Sequence, residues 1–116
     1  QKGRREVEYH LEINESWGKR ILLDEGTGYR IHKLVLYPEK RIGPQMHMHS
    51  TRTFMILKGT VLFISKSEEK FLSVGDSGFV PKATYYSIEN RGLIPAEIIE
   101  IRVGEYLEDN DLVLEA

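Results

Sequence analysis

Short runs rich in apolar side chains follow one another along most of the chain, and turn residues separate them. Alternation of apolar and polar residues is clearest from Tyr29 to Leu36, where successive residues divide between two faces, as they do on a β-strand. Segments rich in Val, Ile, Phe, Tyr or Thr are predicted to be strands: Lys19–Asp24, Tyr29–Tyr37, Thr53–Leu57, Thr60–Ser65, Lys70–Ser73, Ser77–Val80, Tyr85–Glu89 and Glu97–Val103. No window of helical length repeats every 3.6 residues. The pattern predicts an all-β chain.

The two ends of the chain are less regular than its middle. Val7–Ile13 is compatible with a strand or with an extended arm, and the acidic segment Glu105–Ala116 is compatible with a short turn of helix. We therefore divide the chain into an N-terminal arm, residues 1–15, and a single domain, residues 16–116. Short antiparallel strands separated by Gly and Pro turns predict a sandwich, barrel or jelly roll.

Composition excludes several classes of function. A chain of 116 residues suits one domain with its own core. The net charge of −2 favours neither nucleic acid nor an anionic membrane surface, so neither partner is expected. The absence of cysteine excludes thiolate ligands and nucleophiles and suits a reducing compartment, so a cytoplasmic location is expected. No apolar run approaches the roughly 18 residues of a membrane span.

The stretch "GPQMHMHSTRTF", Gly43–Phe54, contains two of the four histidines of the chain. Gln45, His47 and His49 are each two residues apart, so on a strand their side chains would point the same way. Histidine is the commonest metal ligand, which makes a metal site one interpretation. Arg52 follows, and its guanidinium would repel a metal ion but suits phosphate or carboxylate.

The same stretch resembles the first motif of the cupins, in which histidines and a glutamate hold a metal. Counting back from the closing Gly59, Arg52 stands where the family has its Glu. His47 keeps the position of the second His, and Gln45 takes that of the first. Glu39 stands where a Gly is usual.

The second cupin motif is matched by "GDSGFVPKATYYSIEN". Gly75, Pro81 and Asn90 keep their positions, whereas Ala83 replaces a Gly and Tyr86 replaces the metal-binding His. The spacing holds throughout both motifs. The resemblance implies a double-stranded β-helix, the cupin jelly-roll barrel, in which Tyr86 faces inward.

A narrower resemblance covers nearly the whole chain from Ser16. Trp17-Gly18, Gln45-x-His47, "ENRGLIPAEIIEI" and "GEYLEDND" are similar to the mannose-6-phosphate isomerase type II domain. That domain commonly follows a mannose-1-phosphate guanylyltransferase domain. The resemblance implies a metal-dependent aldose–ketose isomerase that acts on mannose 6-phosphate and fructose 6-phosphate.

Three interpretations of the site follow, and no catalytic residue is assigned. In the first, Gln45, His47 and His49 hold one divalent ion of zinc, nickel, iron or manganese. In the second, Arg52 supplies the positive charge of the metal and forms, with Tyr86, Gln45 and His47, a pocket for a sugar phosphate. A third interpretation leaves Arg52 at the barrel mouth, paired with an acid such as Glu89.

The leading function is a sugar-phosphate-binding domain with an altered metal site. An active isomerase and a non-catalytic module for dimerisation or regulation are the alternatives. Expected partners are a second copy of the chain, paired through the arm before Ser16, and a fused or associated nucleotidyltransferase. Trp17 is interpreted either as a core anchor or as a platform on which a sugar stacks.

Overall fold

The computed structural model of the protein describes residues 11–105 and the backbone of Leu112–Leu114. Among these residues no helix is long and apolar enough to cross a membrane. The described strands are β1 (Glu12–Glu15), β2 (Gly18–Gly26), β3 (Tyr29–Leu36), β4 (Arg41–His47), β5 (Ser50–Lys58), β6 (Val61–Ser65), β7 (Glu68–Leu72), β8 (Ser77–Val80), β9 (Tyr86–Glu89), β10 (Ala96–Gly104) and β11 (Leu112–Leu114). The prediction of an all-β chain is confirmed.

The strands form two antiparallel sheets. The first has the order β1-β2-β3-β10-β5-β8, and the second has the order β11-β4-β9-β6-β7. Strands far apart in sequence are neighbours, since β10 pairs with both β3 and β5. The predicted cupin jelly roll is therefore the observed architecture.

Each of the eight predicted strands overlaps an observed one, and β4 and β11 were not predicted. The turn of helix expected near the C-terminus is wrong for Leu112–Leu114, which pair with the edge of β4 instead. β1 lies at the junction of the predicted arm and domain and pairs with β2 in the first sheet. Residues 1–10 and 106–111 lie outside the described part of the chain, and the domain boundary stays a prediction.

The interior of the barrel has an apolar end and a polar end. On β10 the inward side chains change from Ile98 to Glu100 and Arg102, and on the antiparallel β5 they change from Phe54 to Arg52. The apolar core consists of Leu34, Leu36, Ile42, Phe54, Ile56, Val61, Phe63, Leu72, Val80, Tyr86, Ile88, Ala96 and Ile98. This core fills one end of the barrel. The inward-facing Arg52, Glu100 and Arg102 lie at the other end.

Asn90, the last residue of the second motif, has a structural role. It is 2% exposed, and its Nδ2 donates to the carbonyls of Leu36 at 2.8 Å and Ile94 at 2.9 Å. Its Oδ1 accepts from the backbone N–H of Gly92 at 2.8 Å. The buried amide is thus fully used in holding the β9–β10 connection against β3.

Candidate functional site

An irregularity in β4 places the two polar side chains of the first motif. The pairing of β4 with β9 shifts between Ile42 and Gln45, next to Gly43, whose φ is +82°. A Cβ at Gly43 would lie 2.6 Å from the carbonyl oxygen of Tyr86, so this position requires glycine. Beyond the shift, Gln45 pairs with Tyr86 and His47 ends the strand.

A cavity of about 270 Å³ opens between the sheets at the polar end; we call it the main cavity because polar side chains of the first motif line it. Its lining residues come from both sheets and from the β1–β2 link: Glu15, Trp17, Arg20, Leu34, Ile42, Gln45, His47, Arg52, Glu100 and Arg102. Trp17 packs against the apolar core and also lines the cavity. Its position is therefore compatible with both roles suggested by the sequence.

Arg52 is 3% exposed and organises the floor of the main cavity. Its Nη2 lies 2.8 Å from His47 Nδ1, and its Nη1 donates to Ser50 Oγ at 2.6 Å. Because a guanidinium only donates, His47 Nδ1 must accept, so the imidazole is neutral and carries its proton on Nε2. The Nε2–H of His47 faces the Tyr86 hydroxyl, whose oxygen lies 3.3 Å from Nε2.

The interpretation that pairs Arg52 with an acid such as Glu89 is correct about an acid and wrong about Glu89. Glu89 lies on β9 in the other sheet and pairs with Arg41 at 3.6 Å and Arg91 at 3.0 Å. The strand beside β5 is β10, which brings Glu100 Oε2 to 3.3 Å from Arg52 Nε.

Tyr86 faces inward, as predicted, and is 1% exposed. Its hydroxyl accepts from Gln45 Nε2 at 2.6 Å and lies 3.3 Å from His47 Nε2. It stands behind these two residues and is not among those that line the main cavity. Burial, together with the negative charge of Glu100, raises the pKa of Tyr86 to about 12. The side chain is therefore a phenol at neutral pH.

Glu100 is the central acid of the site, and the sequence motifs did not identify it. Its carboxylate lies 3.1 Å from Arg102 Nε and 3.3 Å from both Arg52 Nε and His32 Nδ1. Burial acts to raise the pKa of Glu100, but Arg102, His32 and Arg52 outweigh it and hold that pKa well below its usual range. Two guanidiniums therefore share one ionised carboxylate.

The position of Glu100 could have been found from the strand period. Neither cupin motif extends past Asn90, so neither includes Glu100 or Arg102. An inward Ile98, however, requires Glu100 and Arg102 to point inward as well, because side chains two apart share a face.

The predicted metal set of Gln45, His47 and His49 stays a prediction, because the strand that carries the first two residues ends before the third. β4 ends at His47, so the period of two stops there, and the exposed His49 lies in the link to β5. Among the described residues no three His, Cys, Asp or Glu side chains are placed to hold a metal ion. With a guanidinium donating to His47 and a phenol in place of a histidine, these donors do not fit a divalent cation.

Replacing Glu100 is expected to destabilise the fold in a pH-dependent way. The depressed pKa of Glu100 means that its stabilisation is present above the ordinary carboxyl value of 4.5 and is lost as the pH falls through the lower folded-state value. Glu100→Gln should lower the free energy of unfolding by about 3–5 kcal/mol at neutral pH, because it leaves two buried guanidiniums without their carboxylate. Urea denaturation at neutral pH and at about pH 2–3, between the ordinary carboxyl value and the lower folded-state value, measures both effects.

The matched control is Glu89→Gln, which removes a carboxylate paired with exposed arginines and should change stability by less than about 1 kcal/mol. A wild-type domain and a Glu100→Gln variant with the same dependence of stability on pH would contradict the assignment.

Sequence comparisons match nearly the whole chain to one protein family and to part of several longer proteins. Residues 2–115 match the family model described as mannose-6-phosphate isomerase C-terminal. Mannose-1-phosphate guanylyltransferase ManC of Salmonella typhimurium is 33% identical over 111 residues, and mannose-1-phosphate guanylyltransferase of Escherichia coli is 32% identical over 111 residues. Each alignment covers 96% of this chain but only 23% of the relative, so the chain spans less than a quarter of those proteins.

Solved structures agree on the architecture. An RmlC-like cupin from Shewanella frigidimarina superposes with a TM-score of 0.76 over 89% of both chains at 16% identity. At that identity the likeness concerns the fold alone. The structural likeness shows that the chain has the cupin fold, and the match over residues 2–115 shows that it belongs to the mannose-6-phosphate isomerase C-terminal family.

Proposed function

We propose that this domain binds a sugar phosphate in the main cavity through Arg52, without a divalent metal ion, and does not carry out metal-dependent isomerisation. Family membership supports a phosphorylated hexose as the ligand class. The replacement of two metal-binding positions of the cupin motifs, by Arg52 and Tyr86, supports the absence of a metal. The polar groups of the cavity are mainly hydrogen-bond donors, which suit the binding of an anionic sugar.

The observation that carries this proposal is an unmatched positive charge. Of the described lining residues, three are arginines and two are glutamates. Arg20 pairs with Glu15 at 2.9 Å, while Arg52 and Arg102 share Glu100. The cavity therefore keeps one excess guanidinium in a partly desolvated setting, where an anionic group would interact strongly with it.

Size and shape favour a single sugar. A volume of about 270 Å³ lies near the lower end of ordinary ligand pockets. The ring of Trp17 and the side chains of Leu34 and Ile42 provide apolar surface for the carbon face of a sugar. Gln45 and His47 provide donors for its oxygens. Charge at the floor and apolar surface on the walls suit a phosphorylated hexose.

Calorimetric titration with fructose 6-phosphate, and with neutral fructose as its control, tests the proposal in the presence of EDTA. We expect the phosphate ester to bind at least 100-fold more tightly than the sugar, a difference of about 2.7 kcal/mol. EDTA should change neither affinity, and no interconversion with mannose 6-phosphate should appear by NMR. Equal binding of both probes, or binding abolished by EDTA, would refute it.

We also propose that the domain works beside a nucleotidyltransferase, fused or associated, and as a homodimer. The greater length of the guanylyltransferase relatives supports the nucleotidyltransferase as a partner. The homodimer is supported by β1, which is an edge strand of its sheet in the described part of the chain. An edge strand offers unpaired backbone groups to another strand. The segment before Ser16 is the proposed contact.

A further inference from the structure

Three inward-facing arginines occupy directly paired positions on neighbouring strands. Arg30 of β3 pairs with Arg102 of β10, and Arg102 pairs with Arg52 of β5. We call Arg30, Arg102 and Arg52 the arginine row. Like charges that face each other across a sheet are destabilising, so a row of three is expected to serve a purpose.

The arginine row connects the main cavity with a smaller one. This side cavity, of about 160 Å³, is lined by Leu11, Ile13, Arg20, Leu22, Glu25, Arg30, His32 and Arg102. Arg20 and Arg102 line both cavities. The row therefore runs from Arg52 in the main cavity, through Arg102 at the boundary, to Arg30 in the side cavity.

Buried nitrogens without a hydrogen-bond partner collect at the same place. Within the described residues they are Arg20 Nε, His32 Nδ1 and Arg52 Nε, and each belongs to a residue that lines one or both cavities. The carboxylate of Glu100 lies 3.3 Å from His32 Nδ1 and from Arg52 Nε and already faces two of these three nitrogens, although neither contact meets strict hydrogen-bond geometry. Buried donors are rarely left unsatisfied, so a bound group that supplies acceptor oxygens would account for this cluster.

We infer that the side cavity is a second anion subsite, and that the ligand is a sugar carrying two negatively charged groups. One group would lie against Arg52 and the other against Arg30, with Arg102 between them. Adjacent strands are about 4.8 Å apart, which separates the backbones of Arg30 and Arg52 by roughly 10 Å. A six-carbon sugar with an anionic group at each end has a comparable length. The inference rests on the proposed function, in which the main cavity takes the first group.

The side cavity is suited to exchanging its own carboxylate for a ligand. Arg30 Nε lies 3.2 Å from Glu25, whose side chain is 48% exposed. Such an exposed ion pair contributes little to stability, so an incoming anion can displace the carboxylate at low cost. Leu11, Ile13 and Leu22 form an apolar rim beside it.

Fructose 1,6-bisphosphate and fructose 6-phosphate are a matched pair of probes, since they differ by one phosphate group. On the wild-type domain, calorimetric titration should show the bisphosphate binding at least 10-fold more tightly. Arg30→Gln should remove this advantage and leave the affinity for fructose 6-phosphate within about twofold of its wild-type value. Arg30→Lys, which keeps the charge, should recover part of the advantage.

Arg91→Gln is the control for a general loss of charge, because Arg91 is exposed and pairs with Glu89. It should leave both affinities unchanged. If both probes bind the wild type equally, or if Arg30→Gln weakens both alike, the second subsite is refuted while the proposed function stands. If neither probe binds, both proposals fail.

Discussion

Arg52→Met is expected to lower the affinity for fructose 6-phosphate by at least 100-fold, or about 2.7 kcal/mol. The substitution removes the excess positive charge of the main cavity and the donor that keeps His47 in its Nε2–H form. Losing one partner of a buried, charge-assisted contact commonly costs about 2–5 kcal/mol. Titration calorimetry measures the change, and thermal denaturation shows whether the variant is folded.

Arg52→Lys keeps the prediction testable if the methionine variant does not fold. An ammonium group keeps the charge but lacks the planar fork that reaches His47, Ser50 and Glu100 together. We expect a loss of about 10-fold, between the wild type and Arg52→Met, which corresponds to about 1.4 kcal/mol. Arg91→Met serves as the control. Unchanged affinity in a folded Arg52→Met variant would show that the ligand binds elsewhere.

The double substitution Arg52→Glu with Tyr86→His is expected to create a divalent metal site. Arg52 Nη2 lies 2.8 Å from His47 Nδ1, and the Tyr86 hydroxyl lies 3.3 Å from His47 Nε2. A carboxylate and an imidazole at these positions would join Gln45 and His47 as a set of four ligands with an anionic member. We expect affinity for nickel or zinc to rise at least 1000-fold over the wild type, about 4.1 kcal/mol.

Elemental analysis of tag-free protein and calorimetric titration with nickel measure this gain. Each single substitution should give a much weaker site, and adding His47→Ala to the double variant should abolish binding. The same double variant should lose its affinity for fructose 6-phosphate, because its cavity has gained a negative charge. Wild-type protein that already holds one metal per chain, lost in His47→Ala, would contradict the replacement of the metal's charge by Arg52.

The strands could be predicted because most of them have an apolar face and a polar one. Burial alternates from Ile31 to Leu36 on β3, whereas β6 is a continuous apolar run. The spacing of the two motifs supplied the topology that alternation cannot. β4 was missed because Gly43 and Pro44 interrupt it and its inward residues, Gln45 and His47, are polar. A strand that faces a functional cavity lacks the pattern by which strands are identified.

The partners of Arg52 could not be predicted, because they depend on strand order. On β10, Glu100 and Arg102 point inward while Ile101 and Val103 point outward, which reverses the usual interpretation of an alternating segment. Only the pairing of β10 with both β3 and β5 brings Glu100 to His32 and to Arg52. The cupin motifs include Arg52 but neither Glu100 nor His32. Only the strand order brings these three residues together.

The division of the barrel into an apolar end and a polar end separates two kinds of change. Substitutions among residues such as Phe54 and Ile98 act on whether the chain folds, whereas substitutions at Arg52 and Arg102 act on which charge the barrel accepts. Both positions face Glu100, so a new ligand class requires replacements that balance one another around that carboxylate. A scaffold built this way can change the sign of its preferred ligand through a few neighbouring positions while keeping its shape.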